Sequence, residues 1–217
     1  MEGVYAQFSK PFYFMAKPVS AVCNLDCRYC YYLEKEKLYP NDPQQWFMDE
    51  KVLESFIAQY IYSSPGAAVL FTWHGGEPIM RGIEFFRKAV SLQAKYACGK
   101  TIGNSIQTNG TTLTDDWGRF LKDHHFLVGI SIDGPEHCHD HYRCYSDGRP
   151  SFTKTLNGLE MLKKYGVEFN TLSVVNDYNA KFPAEVYRFL KGSGSHYMQF
   201  TPIVEWTDPD ATPTGLQ

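Results

Sequence analysis

Apolar positions along this chain switch between two periods, and the switches outline a regular succession of helices and strands. Beyond Asp49, the residues Val52, Leu53, Phe56, Ile57, Tyr60 and Ile61 recur at helical spacing, with Asp49 in the N-cap position and Pro65-Gly66 marking the turn that follows. Residues 67–73 are a compact apolar run of strand length leading into Gly75-Gly76-Glu77-Pro78. The succession then repeats. A helix is predicted over Ile83–Tyr96 and a strand over Thr101–Thr108; Thr114 caps a helix running through Lys122, and residues 126–132 form the next strand. Phe152–Tyr165 reads as a helix stopped by Gly166, residues 167–175 as a strand, 183–190 as a helix and 196–204 as a final strand. A short extended run over residues 12–22 precedes them all.

Strand followed by helix, five times over, with a sixth strand at the end, predicts an α/β fold with a parallel sheet and right-handed crossovers. In such folds ligands sit at the carboxyl ends of the strands. The residues that stand there are Cys23, Gly75, Asn109 and Asp133, after the first to fourth strands. Four chemically distinctive segments are therefore expected along one edge of one sheet. Residues 1–205 read as one core domain. The polar, proline-rich residues 206–217 read as a linker toward a further domain, so that the chain stops where a sixth helix or second domain is expected.

Composition narrows the function classes. A chain of 217 residues, 43% hydrophobic and 21% charged, is an ordinary globular composition with enough apolar material for one large core. A formal net charge of -3 provides no basic footprint, which argues against nucleic acid as a partner. No apolar run reaches membrane-spanning length and the first residues do not form a signal peptide, so a reducing cytoplasm is the expected location, with no membrane partner.

Three cysteines change the picture most. Cys23, Cys27 and Cys30 form Cys-x₃-Cys-x₂-Cys on one short loop. Thiolates favour zinc or iron–sulfur centres, and a closed structural zinc or cubane site takes four protein ligands. Three ligands on one loop fit a cluster with one iron left open for another molecule. A zinc site completed by a distant histidine is the alternative, with His74, His124, His125, His137, His139 and His141 available. A disulfide framework fits poorly with 6 cysteines in a chain of this length. Cys98, Cys138 and Cys144 are scattered singly and read as ordinary thiols, and His137, His139 and His141 as a polar loop.

In order, Cys23-x₃-Cys27-x₂-Cys30, Gly75-Gly-Glu-Pro78, Gln107-Thr-Asn-Gly110 and Ser131-Ile-Asp-Gly134 resemble the motifs of the radical S-adenosylmethionine (SAM) enzymes. The finer resemblance is to anaerobic sulfatase-maturating enzymes, through Trp73-His-Gly-Gly-Glu-Pro78, Tyr31-Tyr32 and the segment His137 to Arg143. It covers almost the whole chain and implies a partial (βα)6 barrel of the TIM type that ends near its sixth strand. It further implies a [4Fe–4S] cluster held by Cys23, Cys27 and Cys30, with SAM chelating the fourth iron and yielding a 5′-deoxyadenosyl radical on reduction. Tyr29 corresponds to an aromatic residue set against the adenine. Gly75 and Gly76 let backbone approach the methionine moiety, Glu77 accepts from the SAM ammonium or orients the loop, and His74 is a polar SAM contact. Ser131 and Arg143 match positions on the SAM carboxylate, which suits the planar fork of arginine. Val204 matches a position whose backbone meets adenine, and Tyr32 a catalytic-site tyrosine near the substrate thiol.

The same resemblance implies oxidation of a Cys or Ser in an unfolded sulfatase peptide to Cα-formylglycine, with a reductant such as flavodoxin or ferredoxin. The cysteine-rich C-terminal extension and catalytic Asp of those enzymes do not occur in this sequence, which puts full maturase activity in question. Two other readings compete with this one: a different peptide-modifying radical SAM enzyme that forms a thioether or carbon–carbon crosslink, and a catalytically incomplete metal-binding fragment.

Overall fold

Hydrophobic alternation along the strands builds a single sheet whose one face is covered by helices. The computed structural model describes residues 8–32 and 46–203. Its strands are β1 (Met15–Ala16), β2 (Ala68–Trp73), β3 (Thr101–Thr108), β4 (Phe126–Ser131), β5 (Phe169–Val175) and β6 (Met198–Pro202). All neighbours are parallel and lie in sequence order, β1-β2-β3-β4-β5-β6. The helices are α1 (Glu50–Ser63), α2 (Ile83–Tyr96), α3 (Asp115–Asp123), the single turn α4 (Glu136–His139), α5 (Phe152–Tyr165) and α6 (Pro183–Gly192). This is the sequential winding of a partial (βα)6 barrel, open between β1 and β6 among the described residues.

Caps are satisfied as the sequence implies. Asp49 Oδ1 accepts from Val52 N at 2.7 Å, and Thr114 Oγ1 accepts from Trp117 N at 3.5 Å. Gly166 ends α5 in the left-handed region at φ 62°, where its N–H donates back into the last turn. On β2, Val69, Phe71 and Trp73 are buried, and on β4 Phe126, Val128 and Ile130 are. They pack against Leu53 and Ile57 of α1, Phe86 of α2, Leu121 of α3 and Leu159 of α5 in one core. Burying each such side chain contributes roughly 1.5–3 kcal/mol. The alternate residues Leu70, Leu127, Gly129 and Ser131 sit on the other, concave face.

The first strand is much shorter than the extended run 12–22 suggests. After Ala16 the chain turns, with Ser20 N donating to Lys17 O and Val22 N to Val19 O, and Pro11 and Pro18 have no N–H to give a ladder. β5 begins at Phe169 because Val167 N is committed to the α5 terminus through Leu162 O. The final strand ends at Pro202; Val204 and the linker read over 206–217 lie outside the described residues. No helix among the described residues is long and apolar enough to cross a membrane.

Candidate functional site

The three-cysteine loop follows directly from β1 and is fastened to three neighbouring strand ends. Beyond β2, Gly76 N donates to Ser20 O at 2.9 Å and Glu77 N to Val22 O at 2.8 Å. Beyond β3, Asn109 Nδ2 donates to Asn24 Oδ1 at 2.9 Å while Asn24 Nδ2 donates to Thr111 Oγ1 at 2.8 Å. Beyond β4, the loop donates from Asp26 N to Cys144 O at 2.8 Å and from Arg28 N to Tyr142 O at 3.1 Å. A turn with Cys30 N bonded to Cys27 O closes the loop. An added Cβ at Gly76 would lie 2.0 Å from Val22 O, so only glycine lets the two backbones touch.

All six cysteines are free thiols. Burial pushes the Cys23 thiol up to about 12, against the lowering effect of the Leu25 N–H, and the neighbouring Glu77, Cys27 and Cys30 raise it further. Burial likewise pushes Cys27 up to about 11, with the Arg143 charge opposing. These thiols are close enough to feel one another, and burial outweighs the groups that favour their thiolates. Among the described residues no three His, Cys, Asp or Glu side chains converge on a single-ion position. A tetrahedral zinc site needs its sulfurs within about 4 Å of each other, given Zn–S bonds near 2.3 Å. Three thiolates that each bind a different iron of a cubane require a wider spacing, and a three-cysteine loop with no fourth protein ligand is the donor set such a cluster takes.

Glu77 is wholly buried and spends its carboxylate on the fold. Oε1 accepts from Thr108 Oγ1 at 2.8 Å and Ile79 N at 3.1 Å, and Oε2 from Asn109 N at 2.6 Å. Burial pushes its pKa up to about 7 despite these donors. Of the two roles the sequence offers it, this geometry is that of a loop-orienting group. His74 stands after β2 with Nδ1 accepting from Gly75 N at 2.7 Å, and burial lowers its pKa. Gly75 adopts φ 116°, a conformation suited to glycine. Tyr32 is buried; its ring lies 6.2 Å from that of His74 and 4.9 Å from Lys17 Nζ. Ser131, the last residue of β4, accepts from Gln107 Nε2 at 2.8 Å on the concave face.

Tyr29 and Arg143 meet on a residue that sequence reasoning placed after β4 but gave no role. Asp133 is fully buried; its Oδ2 accepts from the Tyr29 hydroxyl and, at 2.9 Å, from Arg143 Nε. Burial disfavours the Arg143 charge, yet Asp133, Tyr29 and Cys27 outweigh it and hold the guanidinium firmly charged. Burial drives the Tyr29 phenol well above its usual range. His139 is not a polar-loop residue but is fully buried: Nδ1 accepts from Asp133 N at 3.4 Å and Nε2 lies 3.1 Å from Ser151 Oγ. Burial pushes it down to about 3, so it is neutral and ties Asp133 to the segment that carries Arg143. Asp140, also missed, caps α5 through Ser151 N and Phe152 N. The structure thus brings Cys23, Cys27, Cys30, Tyr29, Tyr32, His74, Gly75, Gly76, Glu77, Ser131 and Arg143 to one sheet edge or the concave face beside it.

Residues 18–190 match the family model described as the radical SAM superfamily. The chain is 56% identical over 93% of its length to the serine-type anaerobic sulfatase-maturating enzyme of Bacteroides thetaiotaomicron, covering 48% of that protein. It is 38% identical over 88% of its length to the cysteine-type enzyme of Clostridium perfringens, covering 51%. The solved structure of native anSMEcpe with bound AdoMet and Cp18Cys peptide superposes with a TM-score of 0.84 at 35% identity, over 93% of this chain and 54% of the other. The chain spans about half the length of the curated relatives it matches.

Proposed function

The chain belongs to the radical SAM superfamily, and from that premise we propose that it carries the SAM-cleaving core of an anaerobic sulfatase-maturating enzyme. The observation that carries this reading is the three-cysteine loop latched over the ends of β2, β3 and β4. Cys23, Cys27 and Cys30 would hold a [4Fe–4S] cluster, which would supply one-electron reduction of bound SAM and thereby hydrogen-atom abstraction from the substrate.

The protein's own residues bind and orient. Gly75 and Gly76 keep side chains away from the methionine moiety, and His74 is its polar neighbour at the same strand end. Ser131 and Arg143 take the SAM carboxylate, the arginine through paired N–H groups. The Tyr29 ring is assigned to the adenine side, and so is Val204. Glu77 holds the glycine turn against β3 through Thr108 and Asn109. Tyr32 lies beside the substrate residue.

The substrate is an extended sulfatase peptide whose Cys or Ser is oxidised to Cα-formylglycine, with electrons from a carrier such as flavodoxin or ferredoxin in a reducing cytoplasm. Serine is favoured, because the identity to the serine-type relative is 56% against 38% to the cysteine-type one. The test begins with iron and sulfide per chain after anaerobic reconstitution, with Cys30→Ala as control. About four irons, lost in the variant, support the reading; one zinc and no labile sulfide overturn it. Sulfatase-type peptides then separate formylglycine formation, read as a mass loss, from crosslinking.

A further inference from the structure

We propose that Asp133 is a positioning residue for SAM, acting through Arg143 by fixing which face of its guanidinium is offered to the SAM carboxylate. The inference rests on the radical SAM reading above and adds a residue to it. Asp133 is 0% exposed and receives donors from three separate segments. Oδ1 accepts from Val174 N on β5 at 2.9 Å. Oδ2 accepts from Arg143 Nε at 2.9 Å and from the hydroxyl of Tyr29, which lies between Cys27 and Cys30. Its backbone is held too, by His139 Nδ1 on Asp133 N and by Asn179 Nδ2 on Asp133 O.

The consequence lies in what Arg143 has left. Its Nε is committed to Asp133, and its two Nη groups donate to no protein acceptor among the described residues. No buried side-chain nitrogen or oxygen there lacks a partner, so both Nη atoms reach accessible space although the residue is only 7% exposed. A guanidinium pinned at Nε cannot swing about its Cδ–Nε bond. It presents Nη1 and Nη2 as a fixed pair, the edge that grips a carboxylate with two parallel bonds. The Tyr29 ring, 5.5 Å from Arg143 Cζ, supports the same plane. One carboxylate oxygen therefore couples the cysteine loop to the group assigned to the SAM carboxylate. An ion pair serving stability alone gives no reason for both Nη groups to be left unused.

The test is a double-variant cycle on anaerobically reconstituted protein, reading the dissociation constant of radiolabelled SAM by ultrafiltration alongside iron per chain. Asp133→Asn keeps an oxygen acceptor but loses the charge that fixes Nε. It should retain wild-type iron and weaken SAM binding ~10-fold, as loss of a group orienting a direct contact typically does. Arg143→Gln should weaken it at least as much, and Asp133→Asn/Arg143→Gln should be no weaker than Arg143→Gln alone. The double variant leaves no buried charge unpaired, so the comparison survives if Asp133→Asn by itself fails to fold. The proposal falls if Asp133→Asn binds SAM like the wild type, or if the double variant loses affinity beyond Arg143→Gln, since Asp133 then acts independently of the arginine. It also falls, with the radical SAM reading intact, if Arg143→Gln binds as tightly as wild type. A wild-type protein that holds its iron but no SAM removes the parent reading instead, and this inference with it.

Discussion

Replacing Gly76 by alanine tests whether the cysteine loop is positioned by backbone contact. The new Cβ would stand 2.0 Å from Val22 O and 2.5 Å from Ala21 O, whereas real Cβ contacts essentially never fall below 3.0 Å. Both obstacles are backbone, with no flexible side chain to swing aside, so the two strand ends must part by about 1 Å. That parting stretches Gly76 N–Ser20 O from 2.9 Å and Glu77 N–Val22 O from 2.8 Å beyond bonding distance. At ~0.5–1.5 kcal/mol for each hydrogen bond, the cost is about 1–3 kcal/mol of stability. The effect on cofactor loading is larger, because Cys23 follows Val22 directly and ligand distances in metal sites hold to within about 0.2 Å.

Gly76→Ala should therefore remain folded, with a lowered melting temperature, and lose most of the iron and sulfide that the wild type takes up. Gly148→Ala is the control for generic glycine strain. It imposes a left-handed conformation (φ 79°), a strain that Gly76 does not carry, and meets nothing within 4 Å, so it should cost about 1–2 kcal/mol and load normally. A Gly76→Ala protein that binds iron like wild type would refute the argument, as would equal loss in Gly148→Ala.

Three further predictions concern the polar interior. His139 titrates in the fold near 3, below its ordinary value of 6.5, so the unfolded chain binds more protons between those limits. Stability of the cofactor-free protein should fall as pH drops through that window, and His139→Gln should flatten that limb of a urea-midpoint profile. Glu77 has the opposite sign: burial raises it from 4.5 to about 7, so its contribution is present below pH 4.5 and is lost as pH rises through 7. Glu77→Gln should remove that decline, and a persisting slope would assign it to another group. Asn104→Leu strands Trp73 Nε1 and the Gln93 amide, both within 2.9 Å of the Asn104 side chain, and should cost about 2–4 kcal/mol in chemical denaturation.

The α/β rhythm was legible because β2 and β4 present buried apolar residues at period two, and helices such as α1 and α2 at helical spacing. The boundaries of β3, α2 and α5 coincide with their hydrophobic limits. β1 was not, because its shortness comes from backbone turns at Lys17 and Val19 that side-chain pattern does not encode. The four-residue α4 is too short to show a period. The site was legible as positions but not as bonds. Cys23, Cys27 and Cys30 announce themselves by spacing, yet the latches that hold them are largely main-chain N–H groups such as those of Asp26 and Arg28, which every residue possesses. The role of Asp133 depends on Tyr29, 104 residues away in sequence, and no local window contains both.

These latches separate two tasks that a metal-binding loop must accomplish. Position comes from the fold: the turns after β2, β3 and β4 each bond to the same loop and fix its backbone path. Charge does not. Burial favours the neutral thiols of Cys23 and Cys27, and Glu77 adds to that at Cys23. The Arg143 charge at Cys27 and the Leu25 N–H at Cys23 lean the other way, and Arg143 is itself paired with Asp133. The site is thus preorganised in geometry, while its thiols hold their protons. Loading an iron–sulfur centre on Cys23, Cys27 and Cys30 must therefore release thiol protons, and should weaken as pH falls.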